Sequence, residues 1–232
     1  MLVFVAAERR EFEGLLAHVS RITKPAWPLD FARQGRLNGV QVAMVANGPG
    51  PKLAGDAIDT VARNAVGQNE HMDALVSIGF CGGLQPALGA CDIFVATEVA
   101  GVATALQPAS PRPFQTGKLL SIDRVVSTAG EKAELGKTGV DAVEMEAAAV
   151  AARARRYNVP FYAVRVVTDT CGENFPLDFN AMRSGDGRFS QAKIIAAALR
   201  RPAAVFPELI KLNKRTKRAA QALGDFLADA RF

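Results

Sequence analysis

Apolar residues open the chain in an unbroken run, "MLVFVAA", the pattern of a strand buried on both faces. "EFEGLLAHV" follows with Phe12, Leu15, Leu16 and Val19 at helical spacing, so a strand and a helix begin the fold. "FARQGRL" and "VQVAMVA" flank Asn38-Gly39, the favoured two-residue turn, and read as a hairpin. After the breaker "NGPGP", the segment "KLAGDAIDTVARNAV" has the period of a helix. "DALVSIGFCGGL" is a buried strand ending in glycines, and "DIFVATEVAGVATAL" supplies one or two more strands. "QPASPRPFQTG" reads as a loop, with "SPRP" its mobile part. "IDRVVST" is predicted as a strand, "AGEKAEL" as a short helix, and "DAVEM" as a strand running into the helix "EAAAVAARARRYN". "VPFYAVRVVTDT" is a strongly apolar strand; the irregular "CGENFPLDFNAMRSGDGRF" then leads to C-terminal helices. Recurring strand-then-helix units predict an α/β fold with a mixed, mostly parallel central sheet and helices on both faces.

Composition narrows the picture. At 232 residues and 49% hydrophobic content the chain can bury one sizeable core, and a single domain over residues 1–232 is expected. The net charge of +5 is modest, and much of it lies in "RRPAAVFPELIKLNKRTKR". A basic face without interleaved aromatics is a solvated face rather than a nucleic-acid site, so no nucleic-acid partner is expected. The same C-terminal region is amphipathic, with Phe206, Leu209, Ile210, Leu212, Leu223, Phe226 and Leu227 on its apolar side. Packing onto the domain is favoured there over contact with an acidic membrane surface. Cys81, Cys91 and Cys171 form no CxxC pair, which argues against a disulfide framework or a zinc site. The N-terminal apolar run is too short for a signal peptide, and no stretch has the length of a membrane span. The expectation is a cytoplasmic enzyme or binding protein without metal or organic cofactor.

In open α/β sheets ligands bind beyond the carboxyl ends of the strands, and polar or glycine signals fall at such ends in "AAERRE", "IGFCGG", "VEME" and "VVTDT". Asp169 ends an apolar strand, where desolvation raises a carboxyl pKa and suits it to donate a proton; taken alone, a helix or turn cap is the commoner explanation. Glu146 falls in the first turn of a helix, where the helix dipole favours an anion, so it is expected to stay ionised. An ionised carboxylate there can accept both hydroxyls of a ribose diol with Met145 against the sugar, or simply compensate the dipole. Glu144 alternates with Met145, so one of the two points away from the site. Glu8 and Glu11 share one side of the first helix, either as a solvated face or as groups reaching the crevice.

"GFCGG", residues 79–83, suits close approach of backbone to a ligand but lacks dinucleotide-motif spacing. "GKT" at residues 136–138 has no glycine in register for a phosphate-binding loop. Cys81 has no base near it in sequence, and with only His18 and His71 a triad or histidine-rich metal mechanism is not supported.

Together, "SIGFCGGLQPALGACDIFVAT", "DAVEMEAAAVA" and "NVPFYAVRVVTD" resemble the nucleoside phosphorylase and nucleosidase superfamily, most closely its 5′-methylthioadenosine/S-adenosylhomocysteine nucleosidase branch. The resemblance runs from the first residue to about Thr170 and implies that family's three-layer sandwich. It implies that Glu146 binds the ribose 2′- and 3′-hydroxyls with Met145 packed on the sugar, that Asp169 protonates the purine at N7, and that Glu11 activates water. Glu144, Gly82, Cys81 and Phe80 are carried over as substrate-lining positions. It also implies a small-molecule nucleoside as substrate and a homodimer or larger homo-oligomer.

This chain departs from the family at Ser77 and Phe80. Phosphorylases place arginine and a hydroxyl residue at the matching positions, and nucleosidases place a hydroxyl at that of Phe80. Residues 99–127 are also short, and "DRVVSTAGEKAEL" resembles the compact hopanoid-associated branch, whose lesser cover would admit a bulkier 5′-substituent. The expected activity is hydrolytic cleavage of an adenosine-type purine nucleoside. The alternatives are phosphorolysis, with phosphate held by Lys52 or arginines near "NGPGP", and nucleoside binding without catalysis.

Overall fold

Strand β1 (Leu2–Ala6) alternates between two hydrophobic cores: Val3 and Val5 face one, Phe4 and Ala6 the other. The computed structural model describes residues 1–67, 71–175, 177–200 and 202–232. After β1 the predicted helix is reduced to a 3-10 turn over Arg9–Phe12 and a single α turn, α1 (Glu13–Leu16). β2 (Ser20–Thr23), β3 (Phe31–Leu37) and β4 (Val40–Ala46) form an antiparallel edge. The β3–β4 turn at Asn38 and Gly39 has φ of 50° and 82°, the positive pair that a right-twisted two-residue hairpin needs.

β1 is parallel both to β4 and to β5 (Ala74–Gly83), and β10 (Phe161–Asp169) lies parallel on the far side of β5. Beyond β10 come β6 (Ile93–Val99), which carries the short β7 (Ala103–Thr104), and then β8 (Gln115–Ser121). Next is β9 (Ala142–Glu144), which returns to pair with Gly82 and Gly83 of β5. β5, β10, β6, β8 and β9 therefore close on themselves at one end of the sheet. This closure brings the carboxyl ends of β5, β9 and β10 together.

Helices α2 (Pro51–Gly67) and α4 (Ala147–Tyr157) cover the Val3/Val5 face, and α6 (Pro202–Asp229) with α1 covers the Phe4/Ala6 face. α1 and α6 meet backbone to backbone: a Cβ on Gly224 would lie 2.1 Å from the carbonyl carbon of Gly14, so only glycine fits there. α3 (Ala129–Gly136) and α5 (Gln191–Arg200) flank the closed end. Among the described residues no helix is long and apolar enough to cross a membrane.

Two sequence expectations change. "IDRVVST" forms no strand; the strand is β8, a few residues earlier, which overlaps the end of the predicted loop. Within β8 only Leu119 is fully buried, so its apolar period is weak, while Val125 and Val126 line a cavity instead. β2, exposed along its whole length, likewise carries no apolar pattern. The "SPRP" loop is tied down by a bridge from Ala109 to Arg231 and an Arg112–Asp229 ion pair of 2.6 Å. Pro176, inside the segment predicted irregular, and Arg201, inside the basic run, lie outside the described residues.

Candidate active site

A cavity of about 470 Å³ opens at the closed end of the sheet. Every site position that the family resemblance implies lines it: Glu11, Phe80, Cys81, Gly82, Glu144, Met145, Glu146 and Asp169. Its apolar lining includes Phe175, Phe179 and Phe189 with Leu209 and Leu212 of α6. The three rings interlock edge to face, with centroids 5.4 and 6.1 Å apart, which gives the irregular segment a fixed aromatic surface.

Glu11 sits in the 3-10 turn that leaves β1, and it is buried. Its Oε2 accepts the Glu8 N–H at 2.7 Å and its Oε1 the Phe80 N–H at 3.0 Å, tying β1 to β5. Burial pushes its pKa up against those two backbone donors. The carboxylate lies on Gly79, where φ is +140° and a Cβ would stand 2.4 Å from Oε1. The "GFCGG" stretch thus owes its first glycine to Glu11 as well as to backbone conformation. Phe80 lies at the cavity wall with the Arg10 guanidinium 5.8 Å over its ring.

Glu146 is the residue before α4 rather than part of its first turn, and its side chain makes no cap bond to the helix. Its Oε1 instead accepts the Gly50 N–H at 2.6 Å, so the "NGPGP" breaker after β4 supplies an amide to the site. The expectation of a permanently ionised Glu146 is corrected. Burial, reinforced by the charges of Glu144 and Glu11, pushes its pKa up to about 8, which the Gly50 amide and Arg165 only partly offset.

Glu144 takes the capping role that its neighbour leaves. Its carboxylate accepts the N–H groups of Glu146 and Ala147 at 2.9 and 3.0 Å, and pairs with Arg165 Nη2 at 2.5 Å. Arg165 is fully buried on β10; burial works to lower its pKa, but Glu144 and then Glu146 hold it above the ordinary value. Arg165 also donates to Ser77 Oγ at 2.7 Å, so that hydroxyl is committed inside the protein. Although Glu144 reaches the cavity lining, its oxygens are engaged by this pair and by the start of α4.

Asp169 ends β10 opposite Gly82 of β5, after a register irregularity. Thr168 Oγ1 donates to its Oδ1 at 2.9 Å, and Lys132 Nζ to its Oδ2 at 2.5 Å. Burial raises the Asp169 pKa, and Lys132 opposes the rise. A Cβ on Gly82 would come within 3.0 Å of Asp169 Oδ2, so this glycine lets the carboxylate approach the strand. Cys81 is buried, and burial drives its thiol pKa far up, which leaves it a neutral wall residue and not a nucleophile.

Lys132, Arg165, Gly50 and the three phenylalanines carry no signal in the sequence that sets them apart. Lys132 stands in "AGEKAEL", where a lysine reads as solvated, yet its side chain is 1% exposed. Lys52, the candidate for holding phosphate in a phosphorolytic reaction, is 82% exposed and pairs with Asp56 at 2.9 Å. Of the arginines, Arg10 and Arg124 reach the cavity, each already paired with a glutamate, Glu8 and Glu131.

Such a crevice, at the carboxyl ends of mixed-sheet strands and lined by buried acids and aromatic rings, defines a small-molecule site of the α/β class. The family model described as "Phosphorylase superfamily" matches residues 101–200 of this chain. A 5′-methylthioadenosine/S-adenosylhomocysteine nucleosidase of Actinobacillus succinogenes is 26% identical over 168 residues, covering 59% of this chain and 71% of that protein. Among solved structures, the Neisseria meningitidis nucleosidase of the same name, in complex with methylthio-immucillin-A, superposes with a TM-score of 0.69 at 20% identity, covering 98% of this chain and 96% of that one. The Streptococcus pyogenes S-adenosylhomocysteine nucleosidase, in complex with 5-methylthiotubericidin, gives 0.64 at 20% identity over 100% and 97% of the two chains. These structural likenesses establish the shared fold.

Proposed function

We propose that this chain hydrolyses the N-glycosidic bond of an adenosine-type purine nucleoside, releasing base and sugar, within a single domain of residues 1–232. The observation that carries this reading is the meeting of Glu11, Glu146 and Asp169, from three separate elements, around one cavity. The relatives described above carry the same activity in their names.

Bond cleavage of this kind builds positive charge on the ribose and negative charge on the departing base. Glu146 takes the ribose diol. Two hydroxyls donating to its carboxylate favour the charged form, so substrate binding itself drives Glu146 towards the anion that stabilises the oxocarbenium-like sugar. Met145 packs against the sugar face. Glu11, made more basic by burial, accepts a proton from the attacking water. Asp169 delivers a proton to the purine, whose ring lies along the Phe175 and Phe179 wall. Glu144 acts through Arg165 and the start of α4 and does not touch substrate. The chain works as a homodimer or larger homo-oligomer in the cytoplasm, and sedimentation of the purified protein tests the assembly.

Incubation with methylthioadenosine, with and without inorganic phosphate, tests the reaction. Free adenine and free sugar at a rate independent of phosphate support hydrolysis. A phosphate requirement would move the assignment to phosphorolysis, and tight binding without adenine release would move it to a non-catalytic binding protein.

A further inference from the structure

Asp169 does not stand alone at the base end of the cavity. Lys132 Nζ is buried among three acceptors: Asp169 Oδ2 at 2.5 Å, Thr170 O at 2.9 Å and Glu173 O at 3.1 Å. Three hydrogen bonds donated by one nitrogen are the full complement of an ammonium, whereas a neutral amine has only two hydrogens to give. The Phe175 ring, 5.4 Å from Nζ, closes a further side. Lys132 is therefore the charged partner, and Asp169 beside it is a carboxylate with the transferable proton one hydrogen bond away.

A simple structural ion pair would not need to stand here. The pair lies where a group with developing negative charge must be protonated, and Asp169 lines the cavity while Lys132 does not. We propose that Lys132 is a positioning residue that supplies, through Asp169, the proton delivered to the leaving base. This rests on the glycosidic-cleavage reading of the site.

As the carbon–nitrogen bond breaks and its electron pair moves to the base, Asp169 gives its shared proton to the base nitrogen. Lys132 is left as a neutral amine and Asp169 as a carboxylate. The attacking water forms the new carbon–oxygen bond and releases one proton to Glu11, and exchange with solvent returns a proton to Lys132. Among the described residues, the other charged or titratable groups near the pair are Glu173 from the following turn, Arg215, Glu208 and Lys211 from α6, and Cys81 from β5. Arg215 is held by Glu173 at 2.7 Å through two parallel contacts, and the Cys81 thiol is neutral, so Lys132 is the proton source placed against Asp169.

The test joins kinetics with titration of the Asp169 carboxyl by carbon-13 NMR, assigned with Asp169→Asn. In the wild-type protein the Asp169 signal is expected to be that of a carboxylate at neutral pH. In Lys132→Met it becomes that of the acid, and the alkaline limb of the kcat profile for methylthioadenosine moves down by about one pH unit or more. Lys132→Arg keeps the positive charge but cannot release a proton at accessible pH, so kcat falls about a hundredfold while KM changes little.

Wild-type Asp169 found protonated at neutral pH would overturn the proposal without any variant. So would Lys132→Met and Lys132→Arg enzymes that keep the wild-type pH profile and kcat. If the wild-type protein cleaves no nucleoside, the functional reading fails separately, and an Asp169 that titrates alike in wild type and Lys132→Met removes the pairing as well.

Discussion

Arg165 and Glu144 form a fully buried ion pair, Nη2 to Oε2 at 2.5 Å, that joins β10 to the start of α4 beside the cavity. Both side chains are 1% exposed, and Glu144 in addition receives the N–H groups of Glu146 and Ala147. The pair fixes where Glu146 begins and therefore where its carboxylate can point.

Removing one partner of such a pair leaves an uncompensated group in the interior. Arg165→Met is expected to lower unfolding stability by about 3–5 kcal/mol, measured by urea titration. The Arg165→Met/Glu144→Gln double variant is expected to lose less than the sum of the single losses, since the second change removes the stranded partner. Additive losses would show that the two groups do not act as a pair.

Glu146 predicts a pH-dependent stability. Its pKa in the folded protein, about 8, lies above the ordinary glutamate value, so the fold holds that proton more tightly than the unfolded chain does. The resulting stabilisation is complete below the unfolded pKa and is lost as pH rises through about 8. Glu146→Gln keeps the acceptor for Gly50 and has no proton to lose. Its stability relative to wild type should therefore rise with pH, by up to roughly 1 kcal/mol per pH unit across that window, and level off above it. A difference that stays flat from acid to alkaline pH would contradict the buried placement of this carboxyl.

Gly79 and Gly82 hold their carboxylates by absence of a side chain, and they should differ in severity. Gly79→Ala places a Cβ 2.4 Å from Glu11 Oε1 at a φ of +140°, so it should both destabilise the protein and remove activity. Gly82→Ala meets Asp169 Oδ2 at 3.0 Å with ordinary backbone, and a smaller loss, mostly in kcat, is expected. Thermal unfolding and steady-state rates on the two variants separate these outcomes; equal behaviour would mean that the Glu11 contact does not govern Gly79.

Much of the sheet is legible in the sequence because its central strands are buried on both faces and their apolar runs are uninterrupted, as in β1, β5 and β10. β2 and β8 are hidden for the opposite reason, since exposed strands carry little apolar period. The cavity-lining positions are legible at strand ends, where a carboxylate or glycine interrupts an apolar run. What surrounds them is not. Lys132 and Arg165 look like any surface cation in sequence, and only the sheet closure and α3 bury them against Asp169 and Glu144. Glu146 departs from expectation for the same reason: helix position alone favours the anion, but burial and two neighbouring carboxylates reverse the balance. Gly50, 96 positions from Glu146 along the chain, contributes through its backbone, which no residue type announces.

Glu11 and Asp169 should separate from Glu146 in kinetics. If the proposed roles hold, Glu11→Gln and Asp169→Asn each remove a proton-transfer group and are expected to lower kcat by about a hundredfold or more with modest change in KM. Glu146→Gln, which would weaken the proposed grip on the diol, should raise KM as well as lower kcat. Steady-state assays on the three variants check this division, and a Glu11→Gln enzyme with wild-type kcat would remove that residue from water activation.

The most direct measurement follows free adenine and the released sugar when the purified protein is incubated with methylthioadenosine in phosphate-free buffer. The account predicts adenine and unphosphorylated sugar in equal amounts, unchanged by added phosphate and abolished in Asp169→Asn. Release only when phosphate is supplied, with the sugar recovered as its 1-phosphate, would contradict it, as would saturable binding of the nucleoside with no cleavage.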